Sequence, residues 1–222
     1  MQAEMKPIID RMKSVEPMKW VFAGDSITHG ALHTWGDRDY TELFSERRRY
    51  EQDRGRDIII KTAISGWNTK LIRNDLDWNI LQFNADVVSI MIGMNDATLG
   101  PEGLETFRDN YTWILDRIAE NPKTHVILHT FNPVWPNAVG RVEHLPGYVE
   151  VIRQIAAERK LPLIDHWSYW HNALQEDPIR SFAWMNDSIH PGSYGHRAIA
   201  KLLFEELDMW DAKSYVCRST IP

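Results

Sequence analysis

Four short stretches of the chain carry residue types that together could transfer an acyl group. In Gly24-Asp25-Ser26-Ile27-Thr28-His29-Gly30 a serine follows a glycine at the end of an apolar run. A glycine permits a tight turn, the turn leaves the hydroxyl accessible, and the free N–H groups of a following helix favour negative charge beside it. In Asp187-Ser188-Ile189-His190-Pro191 an aspartate precedes a histidine by three residues. Such an acid can hold one ring nitrogen while the other faces a hydroxyl, which sets the tautomer and stabilises the imidazolium. Gly66, in Ala63-Ile64-Ser65-Gly66-Trp67, has no Cβ to obstruct its backbone N–H. Asn95, in Gly93-Met94-Asn95-Asp96, offers an amide donor without a competing charge. Both suit an oxyanion. Taken singly, each stretch also reads as a plain turn or loop cap.

Positioning these groups requires elements that end where they begin. Five apolar runs rich in Val and Ile, Trp20 to Ala23, Ile58 to Ile64, Val87 to Ile92, His125 to Phe131 and Leu161 to Ile164, lie too far apart for hairpins. Their continuous hydrophobicity predicts central strands of a parallel sheet, buried on both faces. Between them, Leu104, Phe107, Tyr111, Ile114 and Ile118 form one helical stripe that Pro122 terminates. Similar stripes run through Tyr148, Ile152 and Ile155, and through Tyr194, Ala198, Leu202 and the Leu203 to Leu207 flank. Repeated βαβ units with right-handed crossovers predict a three-layer α/β/α sandwich with its site outside the carboxyl ends of the strands. The stretch from Asn132 to Pro146, with three prolines, reads as a long loop over that face. The whole chain, 1–222, is expected to form one domain.

With these four stretches in chain order, three after successive strands and the fourth immediately before the last helix, the chain from Gly24 to about Leu207 resembles the SGNH hydrolases, the GDSL esterase and lipase superfamily. The family's name letters fall on Ser26, Gly66, Asn95 and His190. The resemblance implies a flavodoxin-like fold, Ser26 as nucleophile, and Asp187 and His190 as its triad partners. It also implies an oxyanion hole made by the Ser26 and Gly66 N–H groups with the Asn95 side chain, and it implies no metal or organic cofactor. The chain departs from many members at Gly192, where they carry asparagine.

Around this core, Asp25 and Asp96 are expected to order the loops, and His29, His33 and Arg38 to be surface or loop residues. His129 is expected to be a satisfied core histidine. Ten tryptophans outnumber the tyrosines and the phenylalanines, at seven each. Trp35, Trp67, Trp135, Trp167, Trp170 and Trp184 fall toward the active face, with Trp67, Trp135 and Trp184 the candidate substrate contacts, because indoles stack on sugar rings or wall an acyl pocket. The leading reading is therefore a serine esterase for small acyl groups, acetyl foremost, on a carbohydrate or another small-molecule ester. A lipid acyl hydrolase or thioesterase is the nearest rival. Metal-dependent phosphoesterase chemistry through Asp25, Asp96, Asp187, His129 and His190 is a second, and a non-catalytic carbohydrate-binding protein a third.

Composition narrows the partners. The 222 residues are 43% hydrophobic and carry a net charge of -6, which argues against nucleic acid as the main partner. No run approaches the length of a membrane span, and the first fifteen residues lack a signal-like apolar stretch. A cytoplasmic location is thus favoured over secretion with a leader outside this sequence. The single cysteine, Cys217, cannot form an intrachain disulfide. Nothing in the sequence sets the oligomeric state.

Overall fold

Apolar runs without alternation must be covered on both faces, and the chain uses most of its strands in that way. The computed structural model describes residues 2–219. The strands are β1 (Lys19–Gly24), β2 (Ile58–Lys61), β3 (Val87–Met91), β4 (His125–His129) and β5 (Leu163–Ile164). They form one five-stranded sheet in the order β2-β1-β3-β4-β5, with every pair parallel. That order reverses direction between β1 and β3, which opens a crevice at their carboxyl ends.

The helices are α1 (Lys6–Lys13), α2 (Ser26–His29), α3 (Tyr40–Glu46), α4 (Thr69–Asn74), α5 (Leu76–Asn79), α6 (Leu104–Ala119), α7 (Leu145–Arg159), α8 (His166–Glu176), α9 (Arg180–Trp184), α10 (Ser193–Glu206) and α11 (Tyr215–Ser219). Helix α6 packs on α4 and α7, while α10 gathers α3, α8, α9 and α11, giving the outer two layers of an α/β/α sandwich. On one side Trp20 and Phe22 of β1 meet Phe44 of α3 at ring separations of 4.8 and 5.1 Å. On the other, Phe107 of α6 and Tyr148 of α7 lie 5.0 Å apart. Helix α3 starts where it does because Asp39 caps the Thr41 and Glu42 N–H groups and Glu42 returns a bond to the Asp39 N–H.

The strand boundaries differ from expectation, most at β2, β4 and β5. Strand β2 stops at Lys61, although Thr62 and Ile64 still donate backbone bonds to Phe22 and Gly24. Lying at the sheet edge, β2 is exposed along one side, with Ile58 52% exposed, so it is not buried on both faces. Strand β4 stops at His129 and β5 holds only two residues, although the Thr130 N–H still reaches the Ile164 carbonyl. In α10 the buried stripe runs through His196, Ile199, Leu203 and Phe204, whereas Tyr194 is half exposed. Pro146 opens α7, as a proline without an N–H can at a first helical turn. Among the described residues no helix is long and apolar enough to cross a membrane.

Candidate active site

The turn that carries Ser26 begins with a close approach of two strands. A Cβ on Gly24 would stand 2.3 Å from the Met91 carbonyl oxygen and 2.8 Å from Thr28 Oγ1, so only glycine lets β1 end beside β3. Asp25 then leaves the strand and caps α2 by accepting the Ile27 N–H at 3.0 Å. Ser26 becomes the first residue of α2 and is 7% exposed.

Its partner arrives from a tight turn before α10, where the Asn186 N–H reaches the His190 carbonyl at 2.8 Å. Within that turn Asp187 Oδ1 accepts the backbone N–H groups of Ile189 and His190, each at 2.8 Å. The carboxylate stands 2.9 and 3.1 Å from His190 Nδ1, and His190 Nε2 stands 2.9 Å from Ser26 Oγ. Burial works against the Asp187 charge, but the two backbone donors and the imidazole outweigh it and hold this carboxyl below its ordinary range. An ionised acid behind a neutral imidazole behind a hydroxyl can draw a proton from the hydroxyl.

Asn95, just past β3, donates from Nδ2 to the Trp67 carbonyl at 2.8 Å. An amide NH₂ has two hydrogens, so the second stays available to a ligand. Arg141, from the loop between β4 and α7, fixes the other end of this amide. Its guanidinium donates to Asn95 Oδ1 and to the Met94 carbonyl, both at 3.2 Å. Gly66, after β2, is exposed with φ +81°, a left-handed conformation that disfavours any residue with a Cβ. Asp96 ties this region together, its carboxylate accepting the Thr69 N–H at 3.1 Å and the Thr69 hydroxyl.

Two buried carboxyls thus underlie the site. Burial raises Asp25 to about 7 and the nearby Asp96 adds to the rise, while the Ile27 N–H and Arg141 oppose it. Burial raises Asp96 as well, with Thr69 opposing. Both side chains order loops, and neither is among the hydrogen-bond partners of Ser26 or His190.

The other candidates divide. Trp67 and Trp135 are half buried, with Trp135 bonded through its backbone N–H to the Ser188 carbonyl and its ring tilted against Phe182 at a separation of 5.6 Å. Trp184 is a correction. It is 2% exposed and packs edge-on at 4.8 Å against Trp170, because α9 turns that ring into the core. Arg38 pairs with Glu46 on the surface, His29 meets Ser65 Oγ at 3.0 Å, and His129 is fully buried and bonded to Ser89. Gly192 caps α10 and donates to the Trp184 carbonyl at 2.8 Å. Asp25, Asp96, Asp187, His129 and His190 do not converge as a metal-ligand set. Among the described residues three such side chains meet only at His33, Asp187 and His190.

Sequence reasoning missed the placement of two residues. His33 lies flat against His190, with ring centroids 3.6 Å apart and planes inclined by 6°. Arg141 orients Asn95. Neither has a fixed spacing to the residue it serves, and the only clue to Arg141 was its loop, expected to cover this face.

A model of the GDSL-like Lipase/Acylhydrolase family matches residues 22–198. An uncharacterized protein of Mycoplasma pneumoniae is 33% identical over 131 residues, a match that covers 57% of this chain and only 15% of that relative's length. A GDSL-like lipase candidate of Parabacteroides merdae superposes with a TM-score of 0.74 at 22% identity, covering 87% of this chain and 97% of the other. A catalytic mutant of Axe2, an acetylxylan esterase of Geobacillus stearothermophilus, gives 0.73 at 21% identity, covering 88% and 96%. The two superpositions establish a common fold, and the family match runs from within β1 into α10. This chain belongs to the GDSL-like lipase/acylhydrolase family.

Proposed function

We propose that the protein is a serine esterase that removes small acyl groups, acetyl foremost, from a carbohydrate. One observation carries the reading: the continuous chain of hydrogen bonds from Ser26 Oγ through His190 to Asp187. In the reaction His190 Nε2 takes the Ser26 proton as Oγ attacks the ester carbonyl. Asp187 holds the opposite N–H and stabilises the imidazolium. The oxyanion is received by the Ser26 and Gly66 N–H groups and the second amide hydrogen of Asn95. His190 then returns its proton to the departing alcohol oxygen, leaving an acyl-Ser26. Water, deprotonated by the same nitrogen, releases the acid.

The acetyl-carbohydrate assignment draws support from the acetylxylan esterase of like fold and from the aromatic residues near the site, Trp35, Trp67 and Trp135. A lipid acyl substrate has one observation in its favour. Leu32 and Trp35, on the loop after α2, are 87% and 82% exposed and both have left-handed backbone. Bulky apolar side chains held outward at such a conformation suit contact with a ligand. The test is release of acid from acetylated xylo-oligosaccharides and from nitrophenyl esters of rising chain length, with Ser26→Ala and a chelator as controls. The proposal expects acetate from the sugar, loss in Ser26→Ala and survival with chelator. A rate that climbs with acyl length would replace the carbohydrate with a lipid, and full activity in Ser26→Ala would remove the serine mechanism.

A further inference from the structure

Asp187 serves two histidines. Its Oδ2 stands 2.9 Å from His190 Nδ1 and 3.6 Å from His33 Nδ1, so one carboxylate oxygen faces the same nitrogen of two stacked rings. The candidate ligand atoms of the three residues all lie within 4.8 Å of one another. Four-coordinate zinc, with bonds of about 2.0 to 2.2 Å, sets its ligands about 3.4 Å apart, within reach of the 2.9 and 3.6 Å separations here, and His33 must tilt out of its stack on His190 to aim its Nδ1 lone pair at the same ion. The Asp187 side chain is 43% exposed, against 20% and 18% for His33 and His190, so water can enter and complete a tetrahedron. His33 is also suited to ligation, since burial and its histidine neighbours lower its pKa and favour the neutral ring, with Asp187 opposing.

We propose that His33, Asp187 and His190 form an inhibitory site for Zn²⁺ or a similar borderline transition-metal ion, which switches the triad off. Imidazole and carboxylate donors select Zn²⁺, Cu²⁺ or Ni²⁺, whereas Mg²⁺ and Ca²⁺ require oxygen ligands throughout. When the metal bonds to His190 Nδ1 it displaces the proton there, and the neutral ring carries that proton on Nε2 instead. Nε2 then has no lone pair with which to accept the Ser26 proton, and Asp187 is drawn away from its role behind the ring. No proton is lost and no bond in Ser26 changes, so removing the metal restores the enzyme.

The binding half of the proposal stands on these three side chains, while the inhibition half rests on the serine-esterase reading above. Calorimetric titration of chelator-stripped protein with ZnCl₂ should show one equivalent bound by the native protein and by Ser26→Ala. His33→Ala should bind at least tenfold more weakly. Hydrolysis of an activated acetyl ester by the native protein should fall with the same midpoint as the heat signal, recover with chelator and ignore Mg²⁺. His33→Ala should keep a much larger share of its own zinc-free rate at that concentration. His33→Gln repeats both arms if the alanine variant does not fold. No binding by the native protein, or equal binding by the His33 variants, overturns the site. Binding without loss of hydrolysis overturns the inhibition. A protein that hydrolyses none of the esters still yields the calorimetric result, which separates failure of the esterase reading from failure of the site.

Discussion

Two of the serine–histidine pairs among the described residues share nearly equal geometry through the same ring nitrogen. Ser26 Oγ stands 2.9 Å from His190 Nε2, and Ser89 Oγ, on β3, stands 2.7 Å from His129 Nε2, on β4. What lies behind each ring differs. His190 Nδ1 meets an ionised carboxylate held by two backbone N–H groups, whereas His129 Nδ1 meets His166 Nε2 at 3.0 Å. An imidazole cannot balance the positive charge that a base acquires. Burial pushes His166 down to about 3 and His129 well below its ordinary value, with His166 adding to the latter. Proximity of hydroxyl and imidazole is therefore common to both pairs, and access together with a counter-charge distinguishes the one that can do chemistry.

The comparison breaks most easily at the serines. Ser26→Ala should lower turnover of an activated acetyl ester on the order of 10⁶-fold while leaving thermal stability near the native value. Ser89→Ala should do the reverse, keeping turnover but costing about 1 to 3 kcal/mol in denaturant titrations, because His129 Nε2 is left buried without a partner. Comparable activity losses in the two variants would erase the distinction. Next in size, Asn95→Ala should reduce kcat about 10² to 10³-fold, since the proposed mechanism gives its amide to the oxyanion. Arg141→Ala should give a smaller fall in kcat with KM little changed, because its guanidinium is bonded to the Asn95 amide and the proposed mechanism gives it no contact with the substrate. A pure KM effect would assign Arg141 to binding.

Sharpest in pH is the response of the buried pair to acid. The unfolded histidines take up protons near pH 6.5 and the folded ones resist until far lower, so stability is complete above about pH 6.5 and falls as pH drops toward 3. His166 alone should remove about 2 kcal/mol between pH 7 and pH 5. Urea titrations across that range test it, with the double variant His129→Gln, His166→Gln expected to flatten the slope. An equally steep profile in the double variant would move the acid response to other groups.

What could be read from the sequence follows from how local each constraint is. Asp187 and His190 sit in one turn, so three residues of spacing already contain their geometry. Strand identity was likewise legible, because apolar runs such as Val87 to Ile92 carry their own signal. Strand position was not: Ile58 to Lys61 looks as apolar as β3 yet lies at the sheet edge, and only the strand order decides that. The burial of Trp184 was hidden for a related reason. Nothing in the residues around it announces that its ring packs edge-on against Trp170. His33 and Arg141 act across the fold, on residues of other elements, and no periodicity links them to the groups they touch.

The close passage of Gly24 against Met91 gives the Gly24-Asp25-Ser26 run a composite meaning. In a saturation library scored separately for cellular abundance and for ester turnover, replacements at Gly24 should deplete the protein itself, since even a methyl group forces β1 from β3. Replacements at Ser26 should leave abundant, silent protein. Asp25 should fall between the two, with asparagine tolerated because it can still accept the Ile27 N–H. A signature that a homology search reads as one word is thus three independent demands, one on backbone clearance, one on a helix start and one on chemistry.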